Sequence, residues 1–96
     1  MNGQSHSFRA IVTAFGNGDA GRGERLLTDI ANRLAHARGK HEWRGRREEH
    51  GLYAVMEESR ELKQAVICGE GPQRVYDESL DVIATAIRMC NTEWRA

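Results

Sequence analysis

The chain has 96 residues, the size of one small domain, because compact domains usually contain about 50 to 250 residues. Hydrophobic residues make up 40% of it and charged residues 29%, and this composition is typical of a globular protein and excludes an intrinsically disordered one. Fourteen Lys and Arg balance fourteen Asp and Glu, so no global positive charge attracts nucleic acid or anionic lipid. No apolar stretch approaches the roughly 20 residues that span a bilayer, and no secretory segment opens the chain. We expect a single cytoplasmic domain over residues 1–96 that binds neither nucleic acid nor membrane.

The first half of the chain has a hydrophobic period near 3.6 residues, which predicts helices. Apolar residues at helical spacing predict a short helix around residues 8–15 that ends at the glycine-rich segment 16–18. A second apolar stripe predicts a helix from about 24 to 38, with Gly39 as its C-terminal cap. We interpret the glycine pairs before this helix as linkers.

The second half begins with a polar segment from Lys40 to His50, which is interpreted as a loop. A helix is predicted from about 51 to 67, and Pro72 is suited to open a last helix over about 73–94. The apolar stripe expected to be buried on the earlier helix consists of Leu52, Val55, Leu62 and Val66. The broad apolar arc of the last helix predicts two neighbours. We therefore expect an all-α bundle of three to four helices, and its light core predicts completion by oligomerisation.

The last two predicted helices carry acidic residues at helical spacing. Glu57, Glu58 and Glu61 lie on the first, and Glu78 and Asp81 on the second. Residues three apart share a helical face, so the two patches can meet if the helices form an antiparallel pair. Crowded carboxylates repel unless a cation lies between them, and Mg²⁺ or Mn²⁺ prefers such oxygen ligands. A di-iron bundle is disfavoured because it uses Glu-x-x-His motifs.

These acidic residues also have a simpler interpretation, since Glu-rich spacing is common on solvated helices. That interpretation suits the first acidic group better than the second. Glu78 and Asp81 lie in an otherwise mostly apolar helix, next to Leu80 and Val82. A solvated face explains such a position poorly, which favours a metal site.

The acidic pattern resembles the EExxE…ExxD signature of the MazG-like, all-α nucleoside triphosphate pyrophosphohydrolases. EESRE at 57–61 is followed, after sixteen residues, by ESLD at 78–81, and the resemblance covers about Leu52 to Met89. It implies a homo-oligomer, a homodimer or homotetramer, that uses Mg²⁺ to release a nucleoside monophosphate and pyrophosphate. The implied metal ligands are Glu58, Glu61, Glu78 and Asp81. The implied catalytic carboxylates are Glu57, Glu58 and Glu61, of which Glu57 would orient or deprotonate water.

A phosphate-bearing substrate also requires cations from the protein. The candidate cations are Lys40, Arg44, Arg46 and Arg47 in the polar segment, and Lys63 and Arg88 on the helices. Lys63 is equally well explained as a surface charge paired with nearby Glu residues. Trp43 either stacks on a nucleobase or caps the edge of the core. Family members commonly continue beyond the last metal-binding helix with further basic residues. Without them, we expect that the polar segment or a second subunit supplies the remaining substrate contacts, that the nucleotide is bound weakly, or that the chain does not catalyse the reaction.

Two other functional classes compete with the hydrolase. A non-catalytic helical interaction module would use the acidic residues to bind a basic partner or an incidental metal, and it would not require their convergence. A helix-turn-helix DNA reader is disfavoured by the zero net charge and by glutamates where recognition helices carry Arg, Lys or Asn. The four histidines share no ligand spacing, and we expect both cysteines to be reduced thiols.

Overall fold

The fold is known from a computed structural model that describes residues 3–95, with side chains from residue 7 onward. Within that range the chain forms four α-helices and no strand, which confirms the all-α prediction. The helices are α1 (Gly3–Phe15), α2 (Ala20–Lys40), α3 (Glu48–Ile67) and α4 (Pro72–Cys90). The ends of the expected domain, Met1 and Ala96, lie outside the described residues. Among the described helices, none combines the length and apolar character that a membrane span requires.

The chain divides into two compact units, and the division falls inside α2, between Asn32 and Arg33. The first unit contains α1 and the beginning of α2. The second contains the remainder of α2 together with α3 and α4, and α3 and α4 are in contact with each other.

In the first unit, the backbones of α1 and α2 approach each other closely. A Cβ atom on Gly23 would lie 1.6 Å from the carbonyl oxygen of Val12, so a side chain at this position would clash with α1. Gly16 is similarly confined, because its Cβ would lie 1.8 Å from the carbonyl oxygen of Asp19. Gly16 and Gly18 lie in the segment that connects α1 to α2, as a linker would, whereas Gly21 and Gly23 lie inside α2. The interpretation of the second glycine pair as a linker is therefore wrong, and α2 begins at Ala20, earlier than expected.

The helix ends follow local sequence signals in part. α1 ends at Phe15 as predicted, because Asn17 and Gly18 adopt positive φ angles of 54° and 94° that interrupt the helix. Pro72 opens α4 as predicted. Gly39, in contrast, lies inside α2 and is not a cap, so the loop is shorter than expected and spans 41–47.

Three other boundaries differ from the prediction, and the first is the start of α1, which lies at Gly3 instead of around residue 8. α3 begins three residues early, at Glu48, because Glu48 and Glu49 suit the positive end of the helix dipole in its first turn. α4 ends at Cys90 instead of Trp94, and Thr92 follows with a φ angle of 48°, which a helix does not accommodate.

α3 exposes several large apolar residues, including part of the stripe that the sequence predicts it should bury. Met56 is 56% exposed and Ile67 is 71% exposed, whereas Gly51 and Ala65 on the opposite side are buried. The predicted buried stripe is wrong at two of its four positions, Leu52 and Val66, which are both exposed. The two others, Val55 and Leu62, are half-buried.

The reason is the close approach of α3 to the elements beside it. A Cβ atom on Gly51 would lie 2.5 Å from Met89 Sδ on α4 and 2.9 Å from the Trp43 ring. Only small side chains fit at such a distance, so α3 places small residues toward α4 and its large apolar residues outward. The buried residues of the second unit are Trp43, Gly51, Ala65, Glu78, Leu80, Ala84 and Arg88.

Candidate metal centre

Three carboxylates from two helices converge in the second unit. Glu58 on α3 and Glu78 and Asp81 on α4 each offer an oxygen atom, and these atoms lie within 4.8 Å of one another. Glu78 and Asp81 face one direction because they are three residues apart on a helix. Three oxygen donors at this separation could hold a metal ion.

Glu78 is the most deeply buried of the three, with 4% of its surface exposed. One carboxylate oxygen, Oε2, forms an ion pair with Arg74 Nη2 at 2.8 Å. The other, Oε1, is buried and has no hydrogen-bond partner within the described part of the chain. A buried carboxylate oxygen without a partner destabilises the fold, and a bound cation would satisfy it.

Glu58 shows the electrostatic effect of this crowding. Burial, followed by the negative charges of Glu61, Asp81 and Glu78, raises the pKa of Glu58 to about 7. Burial, followed by a hydrogen bond that the protonated carboxyl of Glu61 donates to Glu57, also raises the pKa of Glu61. Glu61, the fourth predicted ligand, is half-buried and does not belong to the group of three within 4.8 Å.

Asp81 already interacts with a cation from a distant part of the sequence. Arg33 Nη1 on α2 lies 2.6 Å from Asp81 Oδ1 and also donates to the carbonyl oxygen of Asp77 at 3.2 Å. Hydrogen bonding to Asp81 raises the pKa of Arg33, so the ion pair favours the charged guanidinium. Sequence reasoning missed Arg33, and its position beside the apolar stripe of Leu34 and Ala37 was the available signal.

A cavity of about 760 Å³ opens beside the three carboxylates, which is within the range of small-ligand sites. Its acidic lining residues are Glu57, Glu58, Glu61 and Asp81. Its basic lining residues are Arg33, His36, Lys40, His41, His50 and Arg88. The cavity therefore combines groups that attract a metal ion with groups that attract an anion.

The other predicted cations lie in different surroundings. Lys40 is exposed and lines the cavity, as a phosphate-binding residue would. Lys63 is exposed and is not part of the lining, nor are Arg44, Arg46 and Arg47. Glu57 is exposed on α3 and forms an ion pair with Arg60.

Arg88 and Trp43, two predicted substrate-binding residues, are packed against each other in the core. Trp43 is 2% exposed and Arg88 3% exposed, and the Arg88 guanidinium lies 4.2 Å from the centre of the indole ring. Arg88 also donates to Glu93 Oε1 at 2.7 Å and to the carbonyl oxygen of His41 at 2.8 Å. This packing favours the alternative in which Trp43 caps the core, and it engages Arg88 in holding the fold together.

Comparisons of the chain with protein-family models, with curated proteins and with solved structures found no match. The MazG-like assignment therefore stays a prediction that rests on the acidic motif.

Proposed function

We propose that the protein is a Mg²⁺-dependent nucleoside triphosphate pyrophosphohydrolase of the MazG-like kind, acting in cytoplasmic nucleotide house-cleaning. The observation that carries this proposal is the convergence of Glu58, Glu78 and Asp81, together with a buried carboxylate oxygen of Glu78 that has no hydrogen-bond partner among the residues that the structure describes. The same residues are metal ligands by the motif resemblance, which is an independent argument. Beside them lies a cavity that is lined by both basic and acidic residues and is large enough for a small ligand.

The donor set of the candidate centre suits a hard divalent cation. Glu58, Glu78 and Asp81 offer carboxylate oxygens, and Mg²⁺ and Mn²⁺ both prefer oxygen ligands. Glu61 is the fourth proposed ligand, since it lies one turn from Glu58 and lines the same cavity. When bound, Mg²⁺ neutralises phosphate charge and lowers the pKa of a coordinated water.

The chain's own residues supply the remaining chemistry. Glu57 lines the cavity, where it orients an attacking water or accepts its proton, and Glu61 assists it. Lys40 binds the phosphate groups of the substrate. Hydrolysis of the nucleoside triphosphate by water then yields a nucleoside monophosphate and pyrophosphate.

We further propose that α3 and α4 are antiparallel. Gly51 near the start of α3 lies beside Met89 near the end of α4, whereas Glu58, farther along α3, meets Asp81, which is earlier in α4. This order of contacts is what an antiparallel pair produces.

We also propose that the protein is a homodimer or homotetramer. The support is the apolar face of α3, formed by Leu52, Met56 and Ile67, which are all exposed. Exposed apolar surface of this kind is typical of protein interaction sites.

The test of the hydrolase is pyrophosphate release from a panel of ribo- and deoxyribonucleoside triphosphates with Mg²⁺ or Mn²⁺. We expect release by the native protein and a loss of about 100-fold or more in Glu58→Gln and Asp81→Asn, because each substitution removes a metal ligand. Glu24→Gln is the matched control, since Glu24 is an exposed carboxylate on α2 in the first unit. No release across the panel would overturn the hydrolase and favour the interaction module.

A further inference from the structure

Arg33 is a cation built into the candidate metal centre. It reaches from α2 to α4, where Nη1 contacts Asp81 Oδ1 at 2.6 Å, and Nη2 lies 3.8 Å from Asp77 Oδ1. The side chain is 27% exposed and lines the same cavity as Glu58. Arg33 therefore occupies a position where it affects any ligand of that cavity.

A metal ion and Arg33 compete for one carboxylate. Asp81 belongs to the group that could hold the metal, yet Arg33 already neutralises it through a short, charged hydrogen bond. A divalent cation held by Glu58, Glu78 and Asp81 would also repel the positively charged guanidinium. Binding of the metal therefore weakens the contact between Arg33 and Asp81.

Arg33 remains near the site when that contact weakens. The carbonyl oxygen of Asp77 accepts a separate hydrogen bond from Arg33 at 3.2 Å, and this bond does not involve the carboxylates of the group. The guanidinium fork matches phosphate oxygens, which it can bind through two parallel hydrogen bonds. His36 and Lys40 follow Arg33 at helical spacing on α2 and line the same cavity, so the released guanidinium joins a row of basic groups.

We propose that Arg33 is an exchangeable counter-ion, which neutralises Asp81 in the metal-free protein and binds a phosphate group of a polyphosphate ligand once a divalent metal takes its place. This inference rests on the proposed function, because it requires a metal ion at Glu58, Glu78 and Asp81. It adds a residue from α2 to a site that the acidic motif places on α3 and α4 alone.

The experiment measures two affinities in Arg33→Gln and Arg33→Lys. Mn²⁺ binding is followed by the electron paramagnetic resonance signal of the free ion, and inorganic pyrophosphate binding by calorimetry with and without saturating Mg²⁺. We expect Arg33→Gln to bind Mn²⁺ at least about threefold more tightly, because a competing cation is gone. We expect it to bind pyrophosphate about tenfold more weakly with Mg²⁺ present, because a charged hydrogen bond is lost, and equally to the native protein without Mg²⁺.

Arg74→Gln is the matched control. Arg74 pairs with Glu78 at 2.8 Å but does not line the cavity, so its removal is expected to tighten Mn²⁺ binding and leave pyrophosphate binding unchanged. Arg33→Lys keeps the charge without the fork and is expected to show smaller changes of the same sign. If Arg33→Gln does not fold, as judged by its thermal transition, Arg33→Lys decides the question with the same readouts.

The outcomes separate the two proposals. A native protein that binds no Mn²⁺ overturns the metal centre and the exchange together. If the native protein binds Mn²⁺ but Arg33→Gln binds it no more tightly, the exchange is wrong while the metal centre stands. A purely structural Arg33 would lower both affinities together, and unchanged pyrophosphate binding in the presence of Mg²⁺ would overturn the phosphate contact.

Discussion

The two helices that form the candidate centre distribute their side chains in opposite ways. α4 buries two charged residues, Glu78 and Arg88, together with Leu80 and Ala84. α3 instead buries Gly51 and Ala65 and exposes its large apolar residues. The comparison teaches that hydrophobic periodicity locates a helix, whereas the distance to its neighbour decides which face is buried.

The charged core of α4 predicts the largest effect on stability. Arg88→Met removes the contacts of a buried guanidinium with Glu93, His41 and Trp43, so we expect the free energy of unfolding to fall by about 3 kcal/mol. Urea denaturation measures it. Arg44→Met is the control, because Arg44 pairs with Glu42 on the exposed surface, and a change below about 0.5 kcal/mol is expected there. Equal effects of both substitutions would mean that Arg88 does not hold the fold.

The small-residue face of α3 predicts a slightly smaller effect. A Val side chain at Gly51 would overlap Met89 and Trp43, so Gly51→Val is expected to lower the free energy of unfolding by about 2 kcal/mol. Gly39→Ala is the matched control, since open space surrounds Gly39 within α2, and it is expected to raise the stability by up to about 1 kcal/mol. Urea denaturation compares the two. A stable Gly51→Val would contradict the close packing of α3 on α4.

The outward face of α3 predicts a change in association without a change in fold. Met56→Glu places a charge on an exposed apolar position, so we expect light scattering after size-exclusion chromatography to show a smaller oligomer. The helix content by circular dichroism is expected to stay the same. Ala35→Glu, at an exposed position on α2, is the control and is expected to keep the native mass. An unchanged mass of Met56→Glu would remove this face from the interface.

Glu93, the carboxylate that pairs with the buried Arg88, predicts the smallest effect, which is a dependence of the stability on pH. Hydrogen bonds from Arg38 and then Arg88 hold the pKa of Glu93 below its ordinary value of 4.5. A carboxyl with a lowered pKa in the folded state stabilises the fold above its unfolded pKa and loses this contribution as the pH falls through the lowered value. The stability advantage of the native protein over Glu93→Gln is therefore expected to be constant from about pH 6 to 8 and to shrink below about pH 4.5. An advantage that persists unchanged at pH 3 would contradict the ion pairing of Glu93.

The sequence predicts those features of the fold that depend on neighbouring residues. Pro72 fixes the start of α4, and Asn17 and Gly18 end α1, because backbone preferences act within a few residues. The spacing of Glu78 and Asp81 places both on one face of α4 for the same local reason.

Features that depend on distant contacts were not accessible in this way. Arg33 and Asp81 are 48 residues apart, and no local pattern predicts that they form an ion pair. The burial of Trp43 depends on Arg88 and His50, which pack against its ring from other parts of the chain. A polar segment around a lone Trp suggests exposure, and the packing that reverses this conclusion is long-range.

The buried oxygen of Glu78, which has no hydrogen-bond partner among residues 7–95, makes the metal-free protein locally frustrated at this site. A ligand that satisfies this oxygen binds the folded chain in preference to the unfolded chain, and its binding therefore raises the melting temperature. The melting temperature therefore reports whether the site is occupied. A thermal-shift screen of cations and anions would identify ligands of the site without any assumption about the reaction.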